Sequence, residues 1–141
     1  MRYLGLDLGT TTLGVAISDK TNTLATPLEL IKFARENYEE ALDKLLKIVS
    51  EYNIKEVVLG LPKNMDNSLG FASNRSLNFK SMLEDKGLVV HLEDERLTTV
   101  EAIGILKNNN VKKINKSAKT DIVSAVLILE SYLRKLWKII N

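Results

Sequence analysis

The stretch LGLDLGTTTLGVAISD, residues 4–19, narrows most sharply the folds open to this chain. Residues 2–8 and 13–18 are apolar runs, and Gly9–Thr10 between them suits a tight turn. A third strand is expected over Leu24–Phe33. Pro27 marks it as an edge strand or a bulge, because proline has no N–H to give to a ladder. These three strands form an antiparallel meander. Asp7 stands within the first of them, between Leu6 and Leu8. A carboxylate is rarely buried without a partner. Two chemistries would place one here: a metal ion held by the acid, or a turn that cradles the phosphates of a nucleotide.

The rest of the chain alternates. Residues 37–52 carry Tyr38, Ala41, Leu42, Leu45, Ile48, Val49 and Tyr52 at helical spacing, as expected of an amphipathic helix. EVVLGLP, ended by Pro62, reads as a strand buried on both faces. KNMDNSLG is a polar loop in which Asp66 and Asn67 suit an Asx turn. Residues 71–86 are expected to be helical, with Phe71 and Phe79 in the helix core and Gly87 as the stop. LVVHL is a fifth strand. Thr98–Glu101 is a capping box that opens a helix to about Lys107. Residues 119–138 form the last helix, on which Trp137 caps the packing.

The order βββ-α-β-α-β-α-α implies an α/β fold with a five-stranded mixed sheet: three antiparallel strands, then two added in parallel, flanked by helices. It is the order of the RNase H-like fold. The 141 residues fit one domain, 1–141. The chain has no cysteine, which excludes disulfides and thiolate zinc sites. It has no apolar run long enough for a membrane span and no signal-peptide layout, so a cytoplasmic location without membrane contact is expected. The net charge of +2 means that nucleic-acid binding would come from local patches.

In open sheets, sites gather at the carboxyl ends of the parallel strands. Asp7 on the first strand, the run Glu93-Asp94-Glu95 just past the fifth, and Asp121 early in the last helix converge on one edge in such a sheet. Clustered carboxylates repel, and a hard divalent cation such as Mg²⁺ or Mn²⁺ relieves the repulsion. Two such ions about 3.5–4 Å apart activate water in phosphodiester hydrolysis. Asp121 alone also suits the helix dipole. Spacing does not choose among residues 93–95.

Four segments, GLDLGTTTLGVAISD, GLPKNMDNSLG, DERLTT and KTDIVSAVLILESYL, together resemble the YqgF/RuvX family of RNase H-like nucleases. The resemblance runs from Tyr3 to Leu133. It implies that Asp7, Glu95 and Asp121 are the catalytic, metal-holding acids. It also implies two substrates: the 5′ end of pre-16S ribosomal RNA, ranked first, and the Holliday junction. Structured RNA, branched DNA and ribosomal precursor particles are the implied partners, met by a monomer or weak dimer. A module that binds structured RNA without cutting it is the reading from another class, and the three retained acids speak against it.

DLGTT resembles, too, the first phosphate loop of actin-like ATPases. Those enzymes hold nucleotide between two such domains, and this chain has neither the length for two nor a second Gly-rich phosphate loop. Asp7 is therefore read as a metal ligand, with Thr10 and Thr11 facing substrate phosphates. Lys112, Lys113, Lys116 and Lys119 fall in residues 109–120, an irregular basic arm without an acid, just before Asp121. Lys63 and Asn64 follow the fourth strand, and Arg75 and Arg96 could grip phosphate through a planar fork. Aromatic platforms are sparse, so backbone and shape are expected to be read more than bases. His91 is expected to face solvent or a polar neighbour, and Asp19 to be a turn residue.

Overall fold

The structure is a computed structural model. It describes residues 1–62, 70–94 and 116–140, the last group without the side chains of 116–121 and 140. The expected helix over residues 98–107 and the Asx turn at Asp66 lie outside the described residues.

Among the described residues eight elements follow in order: β1 (Tyr3–Leu8), β2 (Thr12–Ser18), β3 (Ala25–Lys32), α1 (Tyr38–Glu51), β4 (Glu56–Leu61), α2 (Phe71–Asp85), β5 (Val89–Asp94) and α3 (Lys116–Ile140). The sheet order is β3-β2-β1-β4-β5. β1 pairs antiparallel with β2, and β2 with β3. β4 adds parallel to β1, and β5 parallel to β4. This is the mixed sheet expected from the alternation. Pro27 has both meanings offered for it: β3 is an edge strand, and the β2–β3 register shifts between Val15 and Ala16, where Ala16 faces Pro27.

Each face of the sheet has its own cover. Leu4, Leu6, Leu13, Val15, Val57 and Leu59 pack under α1 and α2 with Leu42, Leu45, Phe79 and Leu83. Tyr3, Ala16, Ala25 and Val58 pack under α3 with Ala125, Ile128, Leu129 and Leu133. β4 thus feeds both clusters, as a strand buried on both faces must.

The helix ends follow local chemistry. Asn37 caps α1 by accepting from the Glu40 N–H at 3.1 Å. The Glu40 carboxylate reaches back to the Ala34 N–H at 2.8 Å and pairs with Lys44. Those contacts, the Ala34 N–H first, hold the Glu40 carboxyl below its ordinary range. Gly87, at φ +88°, carries the chain out of α2.

Four expectations are corrected. Phe71 is 92% exposed, because the buried stripe of α2 runs through Ser73, Ser76, Phe79 and Leu83 on the other side of the helix. Trp137 is 58% exposed at the margin of the α3 stripe and does not cap it. β5 continues through Glu93 and Asp94, so those acids belong to the strand and do not follow it. Residues 116–120 are the first turns of α3, not part of an irregular arm; no Gly or Pro interrupts them. Among the described residues no helix is long and apolar enough to cross a membrane.

Candidate functional site

Asp7 lies one residue from the end of β1 and is 7% exposed. Strand alternation puts it on the same face as Tyr3 and Gly5, the face covered by α3. Its partner across β2 is Gly14. Continuing the β1–β4 register one residue past Leu6–Leu59 sets Gly60 on its other side, and Gly60 pairs in turn with Glu93. The row across the sheet is therefore Gly14, Asp7, Gly60, Glu93. Glycine thus flanks Asp7 on both sides of the row.

The turn after β1 is held in place by backbone hydrogen bonds, one of its own and two from the segment after β3. The Gly9 N–H donates to the Thr12 carbonyl at 2.8 Å. The Phe33 and Glu36 N–H groups donate to the carbonyls of Thr11 and Thr10 at 3.0 and 2.8 Å. Thr10 and Thr11 are thereby fixed just past the Asp7 end of the strand, Thr11 exposed and Thr10 half-buried.

Helix α3 brings its early residues to the same end. Tyr132 meets Tyr3, at the start of β1, with ring centroids 5.6 Å apart, and Ala125 lies over Gly5. The helix therefore runs antiparallel to β1. From Ala125 back to residue 121 is about 6 Å along a helix, and from Gly5 to Asp7 is about 6.6 Å along a strand. Position 121 thus stands at the level of Asp7, with Lys119 about half a turn and Lys116 more than one turn beyond it. Arg75 sits in the second turn of α2, half-buried, on the helix that covers the other face.

Glu95, Lys63, Asn64, Arg96, Lys112 and Lys113 lie outside the described residues. Among the described residues no group of three acids or histidines stands ready to hold a metal. The acids at this edge offer only oxygen, the donor that hard divalent cations take.

Sequence reasoning assigned Glu93 no separate role. It is 4% exposed and accepts from Lys135 Nζ and, at 3.4 Å, from Ser131 Oγ, both on α3. The i, i+4 spacing of Ser131 and Lys135 beside the apolar stripe of α3 was the available signal. On the same strand His91 Nε2 lies 2.8 Å from Glu56 Oε1, and its ring stacks on Tyr132 with centroids 4.7 Å apart. His91 thus has the polar neighbour expected for it. Burial, and then the neighbouring Tyr3, Glu56 and Glu93, push the Tyr132 hydroxyl up from its ordinary pKa. Burial and Glu56 do the same to Tyr3. Asp19 is a turn residue, as expected: it accepts from the N–H groups of Thr23 and Leu24 and the hydroxyls of Thr21 and Thr23.

A family model described as RuvX, Holliday junction resolvase, matches residues 1–135. A protein of Aster yellows witches'-broom phytoplasma named "Putative pre-16S rRNA nuclease" is 47% identical over 132 residues, covering 92% of this chain and 87% of that protein. A protein of the same name from Lactococcus lactis subsp. cremoris is 41% identical over 133 residues, covering 94% and 93%. Among solved structures, RuvC of T. thermophilus in complex with a Holliday junction substrate aligns at a TM-score of 0.60 and 15% identity, covering 97% of this chain and 96% of that one. At that identity the likeness is one of fold, and it is the RNase H-like fold expected from the element order.

Proposed function

The chain belongs to the RuvX family, and from that premise we propose that it is a metal-dependent endonuclease that processes the 5′ end of pre-16S ribosomal RNA. One observation carries the reading. A buried carboxylate, Asp7, stands between glycines at the carboxyl edge of the sheet, at the level of position 121 on α3. Asp7, Glu95 and Asp121 would hold Mg²⁺ or Mn²⁺, and an all-oxygen donor set suits both ions. When bound, such ions supply Lewis acidity toward a phosphodiester and acidify water.

The chain's own residues do the rest. The backbone-tied turn at Thr10 and Thr11 offers hydroxyls to a phosphate beside Asp7. Lys63, Arg75, Arg96, Lys112, Lys113, Lys116 and Lys119 neutralise the substrate backbone around that edge, and Asn64 offers it an amide donor. The protein acts in the cytoplasm as one 1–141 domain, on free or particle-bound precursor RNA. Mainly backbone and shape are read at the cleavage edge, which suits structured RNA.

The description attached to the family model favours a second reading, resolution of Holliday junctions. Symmetric cutting of a junction requires two active sites, and hence a dimer. Both readings meet one experiment. A labelled pre-16S leader fragment and a four-way DNA junction are each incubated with the protein and Mg²⁺ or Mn²⁺, beside an Asp7→Asn control. The expected result is cleavage of the RNA that the control lacks. Paired symmetric cuts in the junction alone would reverse the ranking. RNA binding without cleavage would favour the non-catalytic module.

A further inference from the structure

The structure holds a second surface suited to nucleic acid, at the opposite end of α3 from position 121. Trp137, the only tryptophan in the chain, is 58% exposed there. Arg134 and Lys138 lie three residues before it and one after, both exposed, and the three line one open hollow with Leu133, Asn22 and Thr23. A second hollow, lined by Met1, Arg2, Lys20, Tyr52 and Asn53, adjoins it. Asn22 joins the two: its amide donates to the Met1 carbonyl at 2.8 Å, and its Oδ1 accepts from the Ser18 hydroxyl at 2.7 Å. Arg134 and Lys138 thus share a hollow with one exposed indole, and Arg2 and Lys20 line the hollow next to it. Asp19, next to Lys20, has its oxygens engaged by Thr21, Thr23 and Leu24.

We propose that this surface is a second contact for the nucleic-acid substrate, with a base stacked on Trp137 and the flanking phosphates met by Arg134 and Lys138, then by Arg2 and Lys20. The proposal rests on the nuclease reading, because it takes the substrate to be nucleic acid. An exposed aromatic set among cations is the pattern that single strands use: bases stack and phosphates pair, without sequence choice. Leu24 at 62% exposure and Ile139 at 82% add apolar surface, which alone would also suit a second copy of the chain. Charge decides against that occupant. A two-fold interface sets a patch against itself, and here that brings cations of one sign together.

The geometry sets a length. Sixteen residues of α3 separate positions 121 and 137, about 24 Å along a helix axis. A strand stacked at about 3.4 Å per nucleotide needs about seven nucleotides to cover that span. A substrate held at the acid edge therefore reaches Trp137 only if it extends about that far beyond the cut.

The test uses the intact chain without divalent metal, so that nothing is cut, and a fluorescein-labelled 20-nucleotide single-stranded RNA. Anisotropy reads affinity, and emission of the single tryptophan reports on Trp137 itself. The expected results are quenching of that emission on saturation and binding about tenfold weaker in Trp137→Leu. Trp137→Phe should recover most of the loss. The double variant Arg134→Ala/Lys138→Ala should flatten the slope of log K against log salt by about 1.4, two phosphate contacts on a single strand. RNA binding with unchanged tryptophan emission and a Trp137→Leu variant equal to wild type would overturn the proposal and leave the nuclease reading intact. A wild-type dimer in sedimentation that Trp137→Leu dissociates would overturn it in favour of self-association. No RNA binding by the wild type would overturn both.

Discussion

A Cβ built on Gly5 falls 2.6 Å from the carbonyl oxygen of Ala125 and 2.6 Å from Leu129 Cβ. Helix α3 therefore rests on the bare backbone of β1, and nothing larger than glycine fits beneath it. Gly5→Ala must lift or slide the helix. The expected cost is about 1–3 kcal/mol, read as a lower urea midpoint at unchanged m-value. Because position 121 rides on α3, cleavage should also fall by more than the loss of folded protein explains, measured at a temperature where the variant is fully folded.

Glu93 is buried while Lys135, its partner, is 65% exposed. Lys135→Met leaves the carboxylate with the weaker Ser131 contact. Solvent around the lysine screens the pair, so the expected loss is about 1–3 kcal/mol, below the cost of breaking a fully buried pair. Adding Glu93→Gln to Lys135→Met should recover part of it, because an amide is cheaper to bury than a lone charge. Equal denaturation midpoints for wild type and Lys135→Met would show that the pair contributes nothing.

Metal binding should be visible without any substrate. A ligand at a hundred times its Kd stabilises the folded state by about 2.7 kcal/mol. Millimolar Mn²⁺ is expected to raise the melting temperature of the wild type, and Asp7→Asn to abolish the rise. Asp121→Asn should diminish it. A rise that survives in Asp7→Asn places the ion elsewhere.

The two buried-side tyrosines predict alkaline sensitivity. Tyr132 has a pKa raised above its ordinary value, so the fold favours its neutral form. That contribution is complete below the ordinary tyrosine pKa. It is lost as pH rises past about 10, because the unfolded chain ionises first. The melting temperature of the wild type should therefore fall more steeply between pH 9 and 11 than that of Tyr132→Phe. At the acid end the signs reverse. Asp19 and Glu40 have lowered pKa values, Asp19 chiefly through the Thr23 N–H, so their contributions are lost as pH falls below the ordinary carboxylate range.

The sheet was legible in the sequence because strands and helices differ in period. Leu4, Leu6 and Leu8 alternate with Gly5 and Asp7, while Ala41, Leu45 and Ile48 recur at helical spacing, and both patterns survive folding unchanged. The meaning of Pro27 was legible as well, since a missing N–H is a local fact. So was Asp7, an acid where burial demands a reason. What could not be read was whatever depends on which residues meet across the chain. Glu93 and Lys135 are 42 residues apart, and only the passage of α3 over β5 pairs them. Phe71 and Trp137 looked like core residues by type, yet the rotation of each helix about its own axis leaves them outside. Gly5 is by sequence an ordinary strand glycine, and only the fold sets Ala125 above it. Periodicity is a property of a segment and is written in its residues. Contact is a property of two segments, decided only when the folded sheet and its helices bring them together.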